Sequence, residues 1–257
     1  MMTAYFATVA GLFGLLIGSF LNVLAYRVPL GRSVVSPPSA CPSCAHAIRW
    51  KDNIPVVSWL LLRGKCRDCS VPISPRYPLV EAGTGVLFAG TYLVIGPDWV
   101  LTAYLLFVAT TVALVLTDLD HKRIPNRILY PATLAAVPLL AVGALLDDTL
   151  SAIPRALAGG AIYFGLLLII ALVARGGFGM GDVKLAFLLG IFLAFPSWET
   201  LGAGVFLAFL IGGLVSLALL VTKRKGRKDA IPFGPPLIIG AWAAVIWGKQ
   251  LVDWYLG

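Results

Sequence analysis

Residues 153–174 read IPRALAGGAIYFGLLLIIALVA, and this run of 22 residues holds a single charged side chain, Arg155. A helix needs about 20 predominantly apolar residues to cross the hydrocarbon core of a bilayer. The run therefore predicts a transmembrane helix, and comparable runs lie on both sides of it. Together they predict an all-α polytopic membrane protein with about eight transmembrane helices, near residues 3–25, 79–95, 100–117, 128–146, 153–174, 183–195, 201–222 and 236–252.

The composition of the whole chain agrees with this class of protein. Of its 257 residues, 59% are hydrophobic and only 12% are charged, with mean hydropathy +0.91, whereas a soluble domain carries about 25% charged residues. A soluble domain is excluded by the shortage of charge, and a disordered chain by the excess of apolar residues. A soluble enzyme behind a secretory leader is also excluded, because apolar runs recur along the whole length. We expect a membrane lipid environment and no nucleic-acid partner.

The basic residues indicate which side of the membrane each connection faces. With eight spans, 18 of the 20 lysines and arginines fall in connections on one side, within residues 27–76, 122–127, 175–184 and 223–228. Only Arg155 and Lys249 fall elsewhere. The positive-inside rule assigns the basic side to the cytoplasm, which places both termini on the opposite side.

One connection, residues 26–78, is long enough to fold by itself. It divides the chain into a first transmembrane helix at 1–25, a cytoplasmic four-cysteine segment at 26–78 and a membrane domain at 79–257. All four cysteines lie in this segment, as Cys41-Pro-Ser-Cys44 and Cys66-Arg-Asp-Cys69, with 21 residues between the pairs. Two C-x-x-C pairs at this separation are typical of a tetrahedral thiolate site.

Zinc is the metal that these cysteines are expected to bind, and the small insert is expected to need it for stability. A site with four thiolates leaves no coordination position open, so its role would be structural. Unliganded thiols or a redox pair are the alternatives. Structural disulfides are disfavoured because cytosolic thiols are kept reduced. His46 is interpreted as a loop histidine, with a role as substitute ligand as the alternative.

Two aspartates lie where predicted spans meet the cytoplasm. Asp118 is at the end of the third span, and Asp182 is at the start of the sixth. The sixth span has only thirteen residues, 183–195, or roughly 20 Å of helix against a core of about 30 Å. The glycine-rich residues before it are therefore drawn toward the bilayer interior, where loose backbone survives only against protein or water. Two carboxylates that share one water can perform aspartyl hydrolysis.

The residues alone leave other interpretations open. Membrane-border aspartates also serve as surface charges or in ion pathways, so a small transporter with a zinc module, or a membrane scaffold, remains possible. Asp120 is interpreted as a solvated residue or as one that supports the pair without taking part in it. Lys184 is either a snorkelling lysine or a cation that tunes the pair. Gly179 and Gly181 permit either helix packing or a close approach of a peptide backbone.

Several motifs, in order along the chain, resemble those of the type IV prepilin peptidases, the bacterial leader peptidase/N-methyltransferases of pilus and type II secretion systems. The matching segments are GSFLNV at 18–23, the cysteine segment at 41–81, Asp118 with IPN at 124–126, GMGDVK at 179–184 and IPFGP at 231–235. The resemblance implies that Asp118 and Asp182 are catalytic. It also implies supporting roles for Gly179, Gly181 and Lys184.

The same resemblance implies an activity and a location. The enzyme would cut the leader of a prepilin or pseudopilin just before its apolar helix. It would then N-methylate the new terminal residue, often phenylalanine, with S-adenosylmethionine. Peptidase activity without methylation is the alternative. The expected location is the bacterial cytoplasmic (inner) membrane, with the zinc segment and active site facing the cytoplasm.

The methyl donor has no motif of its own in the chain, because no glycine-rich nucleotide-binding fingerprint is present. Candidate cofactor-binding residues at the predicted membrane–cytosol border are Asn22, Arg27, Arg76 and Glu81. Arg27 is alternatively a positive-inside anchor, and Asn22 a hydrogen bond between helices. Compared with the family pattern, Asn126 stands where many members carry aspartate, and Lys51 where an aromatic residue is common.

Overall fold

The computed structural model describes residues 1–173, 179–222 and 233–256. Within these ranges the chain forms helices and no strand, which confirms the all-α prediction. A short 3₁₀ helix covers Trp50–Asp52. The α-helices are α1 (Met2–Arg27), α2 (Val57–Leu61), α3 (Arg76–Ile95), α4 (Leu101–His121), α5 (Asn126–Leu146), α6 (Ala152–Val173), α7 (Met180–Ala194), α8 (Trp198–Val221) and α9 (Gly234–Leu256).

Six of the described helices are long and apolar enough to cross a membrane, namely α1, α3, α4, α5, α6 and α8. The chain is therefore a multi-pass membrane protein. The predicted number of eight spans is not confirmed, because α7 has only 15 residues and the apolar part of α9 is the shorter Gly234–Gly248. Three predicted features lie outside the described residues: the segment 175–178, the basic run 223–228 and the first two residues of the IPFGP motif.

The chain divides into two compact units, Met1–Leu116 and Thr117–Gly257. In the first unit, α1 packs against α3 through small residues. A methyl group on the α-carbon of Gly14 would lie 2.9 Å from the α-carbon of Gly85, and one on Gly18 would lie 2.8 Å from that of Glu81. Glycine at these positions lets the two backbones touch, which is how helices associate where no hydrophobic effect drives them together.

The second unit is built around α7. Most side chains from Val183 to Ala194 are almost completely buried, and a helix that is apolar on all sides belongs in the interior of a bundle. The backbones of α6 and α7 touch, since a methyl group on Gly190 would lie 2.8 Å from the α-carbon of Gly160. The first turn of this central helix carries Asp182.

Arg155, the exception to the charge segregation, binds the other end of α7. Its guanidinium donates hydrogen bonds to the carbonyl oxygens of Ala194 at 2.8 Å and Pro196 at 2.9 Å, and also to that of Phe195. The last carbonyls of a helix have no partners within the helix and attract cations. Arg155 is therefore a helix cap supplied by α6.

Candidate active site and metal centre

The two predicted catalytic aspartates are both buried in the second unit. Asp118 lies in the last turn of α4 and is 5% exposed, while Asp182 lies in the first turn of α7 and is 9% exposed. A carboxylate is rarely buried to this extent unless it is paired or has a function. In contrast, Asp120 is exposed.

Ile124 lies between the segments that carry the two aspartates. A methyl group on Gly181, the residue before Asp182, would lie 3.1 Å from Cβ of Ile124. A methyl group on Gly234, the first residue of α9, would lie 3.5 Å from Cδ1 of Ile124 and 2.7 Å from Oδ2 of Asp118. One isoleucine side chain thus contacts both glycines, and each glycine adjoins one of the aspartates.

The carboxyl groups of Asp118 and Asp182 are near enough for the charge of one to act on the other. Oδ2 of Asp118 is buried and has no hydrogen-bond partner among the residues that the structure describes. A buried carboxyl oxygen without a protein partner requires a proton, a water or a ligand atom. Oδ2 of Asp118 is therefore the atom of this site that is available to such a partner.

Two of the predicted supporting residues, Gly179 and Lys184, contact different parts of the second unit. Gly179 lies beside Asp182, because a methyl group on its α-carbon would lie 3.3 Å from Oδ2 of that residue. Lys184 turns toward α5, where its Nζ donates to Oδ1 of Asn126 at 3.4 Å and lies 5.6 Å from the ring centre of Tyr130. Asn126, the departure from the family pattern, is thus a partner of Lys184.

Ile124 and Gly234 are the site residues that sequence reasoning did not single out. Both lie within quoted motifs, IPN and IPFGP, but neither has a reactive side chain. Their position in those motifs was the one feature of the sequence that could have pointed to them. Their importance comes from the space that they occupy or leave open beside the carboxyl groups.

The four cysteines of the insert form one cluster in the first unit. The four sulfur atoms all lie within 4.8 Å of one another, and Sγ of Cys41 is 3.8 Å from Sγ of Cys69. Zinc–sulfur bonds of about 2.3 Å in a tetrahedron separate the sulfur atoms by about 3.8 Å. The cluster therefore has the dimensions and donor atoms of a metal site.

The two C-x-x-C loops have the same local structure. The N–H of Cys41 donates to the carbonyl of His46, and that of Cys66 donates to the carbonyl of Val71. The residue after the second cysteine has positive φ in both loops, 59° at Ala45 and 58° at Ser70. Paired turns of one geometry bring two sulfur atoms from each loop to a common point. His46 contributes its carbonyl to this turn, which agrees with its interpretation as a loop residue.

Backbone hydrogen bonds favour the thiolate form of one of the four cysteines, Cys41, and ion pairs connect other parts of the insert. The backbone amides of Cys44 and Ser43 lower the pKa of the Cys41 thiol to about 6, and a thiolate is the form that binds a metal. Two ion pairs lie within the insert: Arg67 binds Asp52 at 2.6 Å, and Arg49 binds Asp68 at 2.8 Å.

Three of the four candidate cofactor-binding residues lie where α1 meets the start of α3. Asn22 donates through Nδ2 to the carbonyls of Gly18 at 3.3 Å and Tyr77 at 3.4 Å, next to Arg76. The carboxyl group of Glu81 is buried and accepts the N–H of Val56 at 2.7 Å. Arg27, the last residue of α1, instead donates to the carbonyl of Ser33. Asn22 thus forms the interhelical bond expected as its alternative role.

Comparisons with known proteins match nearly the whole chain. Residues 12–95 match the model of the bacterial peptidase A24 N-terminal domain, and residues 104–217 match that of the type IV leader peptidase family. Proteins from Aeromonas hydrophila, Bacillus subtilis and Pseudomonas aeruginosa, each named prepilin leader peptidase/N-methyltransferase, are 34%, 33% and 35% identical to it. These matches cover 98%, 95% and 95% of this chain and 94%, 96% and 91% of the relatives. No solved structure matches.

Proposed function

The chain belongs to the type IV leader peptidase family, and we infer that it is a prepilin leader peptidase and N-methyltransferase. It cleaves the leader peptide from prepilins or pseudopilins and methylates the new N-terminal residue. The inference is supported by relatives of that name that align along nearly their whole length at 33–35% identity. The family resemblance in the sequence motifs is thereby confirmed.

The peptidase site that we propose is the pair Asp118 and Asp182. The observation that carries it is the burial of two acids around Ile124, one of them with an unpartnered oxygen. Two close carboxyl groups share one proton because both cannot ionise together. The ionised member takes a proton from water, while the protonated member donates to the carbonyl oxygen of the scissile peptide. The resulting diol then collapses, and the amine leaves with a proton returned from the pair.

The helix ends suggest which aspartate holds the shared proton. Asp118 lies in the last turn of α4, where the helix dipole disfavours a negative charge, and Asp182 lies in the first turn of α7, where the dipole favours one. In this assignment Asp182 is the base and Asp118 the acid at the start of the reaction, although the pair titrates as a unit.

The cytoplasmic side of the membrane is the proposed location of the site. Basic residues lie in the insert and in the other connections that are predicted on the same side of the membrane. By the positive-inside rule they favour this orientation. A prepilin has a cytoplasmic leader and a membrane-embedded helix, and its cleavage junction would meet the aspartates at the membrane border. We also propose the domain limits expected from the sequence, namely a first transmembrane helix at 1–25, a zinc segment at 26–78 and a membrane domain at 79–257.

Zinc and S-adenosylmethionine are the two small ligands of the proposed enzyme. The four cysteines fit zinc by number, donor type and spacing, and a closed site of this kind stabilises the fold. S-adenosylmethionine would supply the methyl group. Asn22, Arg76 and Glu81 offer hydrogen-bonding and charged groups for it at the junction of α1 and α3, with Arg27 nearby in sequence.

The test incubates detergent-solubilised protein with a prepilin and with S-adenosylmethionine that carries an isotope-labelled methyl group. We expect no cleavage by the Asp118→Asn and Asp182→Asn variants, and undiminished cleavage by the Asp120→Asn control. Label should appear on the pilin only after cleavage. Cleavage by both active-site variants at the parental rate would refute the assignment of the aspartates, and a cleaved pilin without label would limit the activity to peptidase.

A further inference from the structure

The short helix α2 exposes an apolar face. Val57, Leu60 and Leu61 follow the i, i+3, i+4 spacing of one helix face, and their exposed fractions are 47%, 61% and 76%. Trp50, in the preceding 3₁₀ helix, is 81% exposed. Ser58 lies on the other side of α2, buried, where its hydroxyl donates to the carbonyl of Lys51. The leucines thus face away from the body of the insert.

A hydrogen bond places the start of α2 beside a membrane helix. The N–H of Val56 donates to Oε2 of Glu81 at 2.7 Å. Glu81 is the sixth residue of α3, roughly 8 Å along the helix axis from its start. All 20 residues of α3 are needed to span a core of about 30 Å. Helix α2 therefore lies at the membrane border and not in bulk cytosol.

The backbone before α2 fixes its direction. Val56 has φ 61° and ψ −50°, and the N–H of Val57 donates to the carbonyl of Pro55 at 2.6 Å. A three-residue turn of this kind is rare and strained, above all at a β-branched residue. The bond to Glu81 is made by Val56 in this conformation, so that the start of α2 is joined to α3.

The charges beside α2 complement an anionic surface. Residues 27–76 contain eight lysines and arginines but only two acids, Asp52 and Asp68. Both acids are paired with arginines of the insert. Lys51 precedes α2, Arg63 follows it, and both are exposed. Basic residues around apolar side chains at a membrane border are the pattern that binds anionic lipid headgroups.

We propose that the face formed by Val57, Leu60 and Leu61 is seated in the headgroup region of the adjacent bilayer leaflet, with Lys51 and Arg63 on anionic lipids. The insert then lies on the membrane as a second anchor beside α1 and α3. This attachment is independent of the peptidase chemistry. A protein partner on the same face, such as a prepilin or a second copy of the chain, is the competing outcome.

The test places the photoreactive residue p-benzoyl-phenylalanine at position 61 of the full chain in nanodiscs that contain phosphatidylglycerol. Position 35 is the control, because Val35 is an apolar residue of the same insert, 86% exposed, outside α2. After irradiation, mass spectrometry identifies the adducts. We expect a phospholipid adduct several-fold more abundant at position 61 than at position 35.

Three results would overturn the proposal: no lipid adduct at position 61, equal lipid adducts at both positions, or a protein adduct at position 61. A second measurement examines the charges. Lys51→Gln with Arg63→Gln should lower the adduct at position 61 in anionic bilayers to the amount found in phosphatidylcholine alone. An unchanged adduct would contradict the assigned role of these cations.

Discussion

The α-carbon of Gly234 lies against the carboxyl group of Asp118, so closely that an added methyl group would be 2.7 Å from Oδ2. This contact joins the first residue of α9 to the last turn of α4. No side chain larger than hydrogen fits there without moving the carboxyl group. The start of α9 therefore fixes where one of the two proposed catalytic acids points.

Replacement of Gly234 by alanine should accordingly impair cleavage more than stability. A displacement of about 1 Å in a reacting group costs about 100-fold in rate, so we expect kcat for leader cleavage to fall by about that factor. The matched control is Gly213→Ala in α8, where an added methyl group meets nothing within 4 Å. Equal cleavage rates for the two variants would show that the contact with Asp118 does not position it.

Arg155 supports α7 at the end opposite Asp182. In an Arg155→Gln variant, carbonyl oxygens of Ala194, Phe195 and Pro196 lose a charged donor. A hydrogen bond to a charged group contributes about 1.5–3 kcal/mol, so thermal unfolding in detergent should occur at a lower temperature. Arg155→Lys should recover part of the loss. The exposed Arg127→Gln serves as the control, and a lowering no greater than that of the control would contradict the role of Arg155 as a cap.

The cysteine cluster predicts one bound zinc per chain, measured by elemental analysis of the purified protein. Cys41→Ser removes a thiolate and should reduce the zinc content, the stability of the insert and methylation, while some cleavage remains. Ser43→Ala changes the same loop but keeps all four thiols, so its zinc content should equal that of the parent. Loss of cleavage and methylation to the same extent in a folded Cys41→Ser variant would contradict a purely structural site.

The ion pair between Asp52 and Arg67 predicts a pH dependence of the insert. Hydrogen bonding to Arg67 holds the pKa of the Asp52 carboxyl below its ordinary value. A lowered pKa in the folded state contributes stability above the ordinary pKa, and this stability is lost as the pH falls through the lowered pKa. Asp52→Asn should therefore destabilise the insert at neutral pH and make no difference in acid.

Hydrogen exchange of residues 40–73 at several pH values measures this effect. Asp68→Asn is the control, because Asp68 makes a single contact with Arg49 across a more exposed pair. We expect a smaller loss of protection in that variant. A difference between Asp52→Asn and the parent that persists at acid pH would show that the side chain acts through packing and not through its charge.

Particular residues show how far the sequence could predict this molecule. The cysteine cluster was predictable because two short motifs fix the local geometry of all four ligands. Arg155 appeared only as an exception to the charge pattern, since its acceptor carbonyls lie about forty residues away and carry no side-chain signal. The contact of Gly234 with Asp118 was also hidden, because spacing along the chain does not tell which helix end adjoins which carboxyl group.

Glu81 was predicted as a residue for the methyl donor, and its contact with Val56 offers a different role. If Glu81 only positions the insert, Glu81→Gln should retain methylation, because an amide oxygen can still accept the N–H of Val56. Glu81→Ala removes the acceptor, so the Val56 amide should exchange its hydrogen faster and α2 should loosen. A Glu81→Gln variant that protects the Val56 amide as the parent does, yet transfers no methyl group, would instead assign the carboxylate to the methyl donor.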